Sequence, residues 1–212
     1  MNITKKKHLE IAIESIPSFK SPKIELEQYT TPAPIVADIL WNANALGDIA
    51  NKSIMDLGCG TGIFALSSLI LGAKSATGID IDVNSVNIAK TTADKMDINN
   101  SHFFVKDVNN FDLNCNFDTA ITNPPFGSQY KAKKGADRAF MKLAIESADV
   151  SYSFHMAESE EFVINFYKNL GGKVTHKFFY NFPLVHSYDF HSQESREIDV
   201  IVLRVVKIHE KF

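Results

Sequence analysis

A four-residue stretch, Asn123-Pro124-Pro125-Phe126, combines the groups needed to hold a planar amine. Its two prolines fix two φ angles and remove two N–H donors, which leaves a stiff turn with carbonyl acceptors. The Asn123 side chain adds a carbonyl oxygen, and the Phe126 ring offers a flat face for stacking on a base. Because acceptors that pull on both hydrogens of an aryl amine make its lone pair available, they stabilise the transition state of an attack by its nitrogen. The stretch predicts a site that holds a planar amine as a nucleophile, unless it is a turn that happens to contain these residues.

A second stretch suits a nucleoside-containing cofactor. The run from Asp56 to Gly62 reads DLGCGTG and lies where a predicted strand becomes a helix. Glycines there let the backbone approach a ligand closely, and the helix N-terminus adds unpaired N–H groups. Asp80 ends the next predicted strand, where a carboxylate can accept hydrogen bonds from both ribose hydroxyls. Asp107 ends the third strand, so the glycine loop is more than a turn that packs a helix on a strand.

An alternation of strands and helices must position these loops. Short apolar runs predict strands, and residues at helical spacing predict the helices between them. We predict strands over 53–57, 75–81, 102–105, 117–122 and 150–154, and helices over 63–71, 83–96, 136–148 and 159–170. Two long β-rich runs, 173–185 and 197–206, leave no room for a helix between them and predict an antiparallel hairpin. The expected fold is α/β and Rossmann-like, with a mixed seven-stranded sheet and helices on both faces.

The N-terminal part precedes this alternation. Apolar residues at helical spacing predict a short helix over 5–16. Pro32 and Pro34 suit the first turn of a further helix. We therefore divide a single-domain chain into an N-terminal segment, 1–31, and a Rossmann-like domain, 32–212.

Composition limits the function classes. The 212 residues allow one sizeable core, and the formal net charge of −3 argues against a globally basic nucleic-acid binder. RNA contacts must then come from a local patch, such as Lys131, Lys133, Lys134 and Arg138, or from a partner. Cys59 and Cys115 lack CxxC partners, which argues against a metal site and favours a reduced, cytoplasmic location. No apolar run is long enough to span a membrane, and no signal peptide is expected.

The glycine loop resembles motif I of class I S-adenosylmethionine-dependent methyltransferases. Its third glycine comes one residue earlier than in a dinucleotide fingerprint. The resemblance implies that the loop lies under the methionine part of the cofactor, that Asp80 holds the ribose, and that Asp107 and Val108 face the adenine ring.

The proline turn resembles the (D/N/S)PP(Y/F/W) signature of amino-methyltransferases. These include adenine-N6, cytosine-N4 and guanine-N2 enzymes, and enzymes that methylate a glutamine amide. The runs 26–32, 123–127 and 187–191 add a resemblance to the archaeal and eukaryotic methyltransferase-like family that makes N6-methyladenosine in small-subunit ribosomal RNA. This resemblance spans about residues 24 to 206. It implies that Gln28 and Thr31 close over the cofactor.

Two features bear on partners. The family carries several lysines after the run 187–191, whereas residues 192–196 here contain one basic residue, which weakens an RNA-contact role for this loop. Family members often depend on a small zinc-containing adaptor protein that pairs along the third strand. Phe103, Phe104 and Val105 fit such an edge or the core, and we favour the core.

The sequence therefore predicts an S-adenosylmethionine-dependent RNA adenine-N6 methyltransferase, with small-subunit ribosomal RNA as the expected substrate. Alternatives are an enzyme for a protein glutamine or for DNA adenine, and a silent cofactor-binding module in ribosome assembly. The predicted catalytic residues are Asn123, Pro124, Pro125 and Phe126, and the predicted cofactor-binding residues are Gln28, Thr31, Asp56, Gly58, Gly60, Thr61, Ile63, Asp80, Asp107 and Val108.

Overall fold

A computed structural model describes residues 3–111, 116–126, 135, 137–184 and 196–208. The helices are α1 (Lys6–Glu14), α2 (Ala33–Ala45), α3 (Ile63–Ile70), α4 (Val83–Lys95), α5 (Asp137–Ser147) and α6 (Glu160–Asn169). The strands are β1 (Ser53–Leu57), β2 (Ser75–Asp80), β3 (Ser101–Val105), β4 (Phe117–Thr122), β5 (Ala148–Met156), β6 (Gly172–Leu184) and β7 (Arg196–Lys207). Cys115, Gly127, Lys131, Lys133, Lys134 and the run 187–191 lie outside the described residues.

The strands form one sheet in the order β3-β2-β1-β4-β5-β7-β6. Strands β1 to β5 pair in parallel, and β7 pairs antiparallel with both β5 and β6. The predicted Rossmann-like fold with a terminal hairpin is thus confirmed. Strand β5 is longer than predicted and follows α5 without a loop. Its added ends find partners, Ala148 opposite Phe117 and Met156 opposite Val200, which satisfy their backbone groups.

Helices cover both faces of the sheet because neighbouring strand residues point to opposite sides. In β1, Ile54 packs in the core formed with α1 to α4. The next residue, Met55, packs on the other side against Leu143 and Ala144 of α5. A third apolar cluster joins α5 and α6 to β7 through buried residues such as Val163.

The N-terminal segment shares the first of these cores. Leu9 and Ile13 of α1 are buried against α2 and α3. Lys6 Nζ also contacts Asp38 Oδ1 of α2 at 2.6 Å. Because α1 is fixed in this way, the chain between α1 and α2 is held next to the carboxyl ends of the strands.

We assigned three apolar residues of the edge strand β3 to the core, and the structure confirms this for one of them. Phe103 is buried, as expected. Phe104 and Val105 are 48% and 46% exposed, so the assignment was wrong for them. The reason is that β3 is the outermost of the described strands on its side of the sheet and pairs with β2 alone. Within the described ranges, no helix is long and apolar enough to cross a membrane.

A buried ionic network ties the segment between α2 and β1 to the last strands. The Asp48 carboxylate accepts hydrogen bonds from Arg204 Nε of β7 at 2.7 Å and from the Tyr152 hydroxyl of β5 at 2.6 Å. The Asp48 carbonyl accepts one from Thr119 Oγ1 of β4 at 2.6 Å. This network joins the segment before β1 to strands β4, β5 and β7.

Candidate active site

The glycine loop and the proline turn are neighbours at the carboxyl ends of the parallel strands. Leu57, the last residue of β1, lies opposite Thr122, the last residue of β4, and Thr122 Oγ1 donates to the Leu57 carbonyl at 3.1 Å. The strand order reverses between β1 and β4, and ligands of open α/β sheets bind at such a point. A cavity of about 260 Å³ opens there.

The cavity wall contains most of the predicted site residues. They come from the N-terminal segment, from the loops after β1, β2 and β3, and from the proline turn. The predicted residues that line it are Gln28, Thr31, Gly58, Gly60, Thr61, Ile63, Asp80, Asp107, Val108, Asn123 and Pro125. Asp56, Pro124 and Phe126 are not among the described residues that line it.

Glycines are needed in the loop for two physical reasons. Gly58 and Gly60 have φ values of +71° and +51°, which side chains rarely adopt. A Cβ at Gly58 would lie 2.9 Å from Phe140 Cε1, and one at Gly60 would lie 2.8 Å from Phe19 Cζ. The loop backbone is therefore held close against two aromatic rings at the cavity.

Asp80 braces the loop as well as facing the cavity. Its Oδ2 accepts a hydrogen bond from the Gly60 amide at 2.8 Å, and its Oδ1 accepts one from the Asp82 amide at 2.8 Å. Desolvation raises the pKa of Asp80, although these two amide donors oppose the rise. The carboxylate keeps remaining lone pairs with which it can accept hydrogen bonds from a ligand.

Asp56 lies beneath the loop and supports it from inside. Its Oδ2 accepts a hydrogen bond from the Ala65 amide in the first turn of α3 at 3.0 Å. The side chain is buried, and desolvation raises the pKa of Asp56 to about 7. The structure therefore places Asp56 behind the glycine loop, where it supports the start of α3. We had expected it in the cavity wall.

Asn123 is held by the N-terminal segment. Its Oδ1 accepts a hydrogen bond from the Tyr29 hydroxyl at 2.8 Å, and its Nδ2 donates one to Thr31 Oγ1 at 3.0 Å. The Phe126 ring stacks on Tyr29 at 5.8 Å between centroids, with 23° between the ring planes. The proline turn and the N-terminal segment therefore form one packed unit.

The same segment is tied to the start of α4. Asp82 caps this helix by accepting a hydrogen bond from the Asn84 amide. It also accepts hydrogen bonds from Lys23 Nζ at 2.7 Å, from Gln28 Nε2 at 2.9 Å and from Ser85 Oγ at 2.7 Å. Desolvation alone would raise the pKa of Asp82, but these donors bring it well below its usual range.

Sequence reasoning missed the aromatic residues of the cavity wall. Phe19, Tyr29, Phe64 and Phe140 all line the cavity. Phe140 lies in the first helix after the proline turn, and this position was a usable signal. Phe19 lies in a proline-containing break between helices, where no periodicity marks it.

Comparison with known proteins identifies the family. Residues 39–151, more than half of the chain, match the family model described as the methyltransferase small domain. The chain belongs to the methyltransferase small domain family. Membership confirms that it is a methyltransferase that uses S-adenosylmethionine. The solved structures that superpose on it confirm the predicted class I fold.

Individual relatives resemble this methyltransferase over nearly its full length. It is 40% identical to an uncharacterised protein of Methanocaldococcus jannaschii over 96% of this chain and 95% of that protein. It is 31% identical to the rRNA N(6)-adenosine-methyltransferase METTL5 of Danio rerio over 94% of this chain and 98% of that protein. A crystal structure of a proposed RNA methyltransferase from Pyrococcus horikoshii superposes with a TM-score of 0.87 at 36% identity, covering 98% of this chain and 100% of that one.

The residues present fit S-adenosylmethionine. The left-handed glycines bring backbone against the cavity, and Asp80 offers a carboxylate for a diol. Val108 adds an apolar surface, and Asp107 next to it caps a short turn by accepting from the Asn109 amide at 2.9 Å. These groups match the methionine, ribose and adenine parts of the cofactor in chemical type.

Proposed function

We propose that this methyltransferase methylates the N6 amine of an adenine in RNA, and that its substrate is small-subunit ribosomal RNA. The observation that carries the proposal is the position of Asn123. It follows β4, next to the glycine loop, and it lines the same cavity. The resemblance to an rRNA N(6)-adenosine-methyltransferase along nearly the whole chain supports the choice of RNA.

In this proposal the cofactor is held mainly by backbone and carboxylate groups. Gly58 and Gly60 give room for its methionine part, Asp80 accepts from the ribose, and Asp107 and Val108 face the adenine. Gln28 and Thr31 cover it from the N-terminal segment. When bound, S-adenosylmethionine supplies an electrophilic methyl group on a sulfonium. The remaining task of the protein is to orient the nucleophile.

The proline turn orients the target amine. Asn123 Oδ1 and the Pro124 carbonyl accept the two hydrogens of the N6 amine, and the Phe126 ring stacks on the base. Tyr29 already stacks on Phe126 and holds its ring, which is partly exposed. The acceptors gain strength as positive charge develops on the nitrogen, so they lower the barrier. No strong general base is needed, because the methylated aminium loses its proton readily.

The edge strand β3 is the proposed docking site for the small zinc-containing adaptor. Phe104 and Val105 are exposed there, and among the described strands β3 pairs with β2 alone, on one side. An added strand would satisfy the backbone groups of this edge and cover both side chains. An adaptor could also supply part of the positive charge that a chain of net charge −3 lacks. We expect the enzyme to act in the cytoplasm.

Transfer of labelled methyl from S-adenosylmethionine tests the proposal. Ribosomal RNA, ribosomal subunits, duplex DNA and a release factor are offered in parallel, with and without the adaptor, and labelled nucleic acid is digested to nucleosides. We expect N6-methyladenosine from small-subunit RNA. Label on DNA or on the release factor would overturn the substrate, and S-adenosylmethionine binding without any transfer would support a silent module.

A further inference from the structure

Two hydroxyl groups of the N-terminal segment fix the amide of Asn123. Tyr29 donates to its Oδ1 and Thr31 accepts from its Nδ2, at 2.8 and 3.0 Å. These contacts bridge more than ninety positions of sequence. One hydrogen bond leaves an amide free to rotate about its side-chain bonds, whereas two at opposite ends define its plane and direction.

We propose that Tyr29 is a positioning residue for methyl transfer, which holds Asn123 so that the second lone pair of Oδ1 faces the target amine. This inference rests on the proposed function, because it matters only if Asn123 accepts from that amine. A carbonyl oxygen has two lone pairs, so the contact with Tyr29 leaves one for the substrate. Displacement of such an acceptor by about 1 Å can cost about a hundredfold in rate.

The ring of Tyr29 is itself well fixed. It stacks on Phe126 and meets Phe182 of β6 edge to face, with 5.2 Å between the ring centroids. Desolvation raises the pKa of Tyr29 well above its usual range, so the hydroxyl keeps its proton and remains a donor. The position of Asn123 therefore depends on a residue anchored in the last strands of the sheet.

The segment that carries Tyr29 also borders the cofactor. Gln28, Tyr29, Thr30 and Thr31 all line the cavity. Gln28, which precedes Tyr29 directly, is bonded to Asp82 at the start of α4. A role in catalysis must therefore be separated from a role in cofactor binding.

The test compares Tyr29→Phe with wild type and with Tyr180→Phe. Tyr29→Phe keeps the ring contacts and removes only the hydroxyl. Tyr180→Phe is the matched control. The hydroxyl of Tyr180 donates to Asp38 Oδ2 at 2.8 Å and does not contact the proline turn. Measured quantities are kcat, KM for RNA, the Kd for S-adenosylhomocysteine, and the NMR resonances of the Asn123 side-chain amide, assigned by their loss in Asn123→Ala.

We expect Tyr29→Phe to lower kcat by about tenfold or more, while KM for RNA and the Kd change by less than about twofold. The Asn123 amide resonances should shift in Tyr29→Phe and stay in place in Tyr180→Phe. An unchanged kcat would overturn the inference, and so would a loss confined to cofactor affinity. Thr31→Val and Thr31→Ser give a second test, in which the retained hydroxyl of serine should preserve the rate that valine loses.

A failure of the proposed function can be distinguished from a failure of the inference about Tyr29. If wild type labels no RNA, the kinetic comparison moves to whichever acceptor it does label. The NMR comparison needs no substrate, and unchanged Asn123 resonances in Tyr29→Phe would overturn the inference whatever the acceptor is.

Discussion

The side-chain amide of Gln28 donates a hydrogen bond to the carboxylate of Asp82 over 2.9 Å, which joins the N-terminal segment to the first turn of α4. Lys23 reaches the same carboxylate at 2.7 Å. One buried aspartate thus caps a helix and anchors the chain that covers the cofactor cavity. Its contribution to cofactor affinity can be measured separately from its contribution to the helix.

Asp82→Asn is expected to weaken binding of S-adenosylhomocysteine by about tenfold, because hydrogen bonds to a charged acceptor are stronger than those to a neutral one. Asparagine still caps helices well, so α4 should persist. Isothermal titration calorimetry measures the affinity. Asp94→Asn, at an exposed position of the same helix, is the control. Equal affinities of the two variants would show that the anchor does not support the cofactor site.

Gly60→Ala is expected to lose cofactor affinity as well as stability. An added Cβ is strained at a φ of +51° and meets the Phe19 ring at 2.8 Å. Gly47→Ala is a matched control, since it has a φ of +82° with nothing within 4 Å of the added atom. Both variants should lose about 1 kcal/mol of unfolding free energy from backbone strain. Only Gly60→Ala should bind S-adenosylhomocysteine more weakly, and similar binding by both would contradict this assignment.

The sequence was sufficient for the scaffold because each element leaves a local signal. Periodic apolar residues located every strand and helix to within a few positions, and the two long terminal runs predicted the β6–β7 hairpin. The DLGCGTG loop and Asp80 were found from glycine chemistry and strand ends. The exposure of Phe104 was missed because strand order, which decides which strand is an edge, leaves no mark within a five-residue strand.

Contacts between distant parts of the chain could not be predicted. The bond between Tyr29 and Asn123 depends on how the segment after α1 folds back over the sheet, and neither residue carries a periodic signal for it. The place of Asp56 was misjudged for a related reason. Asp56 is the last residue but one of β1, and the sequence alone does not show whether its side chain supports α3 or faces the ligand.

Asp56 predicts a pH dependence of stability. Because burial raises its pKa to about 7, the folded state holds a proton on Asp56 that the unfolded state has lost above about pH 4. The stability from this group therefore falls as pH rises from about 4 to about 7. Asp56→Asn should remove this loss. The free energy of unfolding of the variant, taken relative to wild type, should therefore rise by about 2–3 kcal/mol between pH 5 and pH 8. Urea unfolding at both pH values measures it, and a constant difference would contradict the raised pKa.

Arg204→Met is expected to destabilise the fold by about 3–5 kcal/mol, because it leaves the Asp48 carboxylate buried without its charged partner. Lys177→Met removes an exposed partner of Glu160 and should cost less than about 1 kcal/mol. Urea unfolding at pH 7 compares the two. Equal losses would mean that the Asp48 network does not hold the last strands to the sheet.

The central claim is that Asn123 directs methyl transfer to adenine N6, and single-turnover transfer to small-subunit ribosomal RNA tests it most directly. Wild type and Asn123→Ala are loaded with labelled S-adenosylmethionine, and the nucleosides are separated after digestion. We predict N6-methyladenosine from wild type and a rate about a hundredfold lower from Asn123→Ala, with the affinity for S-adenosylhomocysteine unchanged to within a few fold. Transfer by Asn123→Ala at the wild-type rate, or label on any other acceptor alone, would contradict the account.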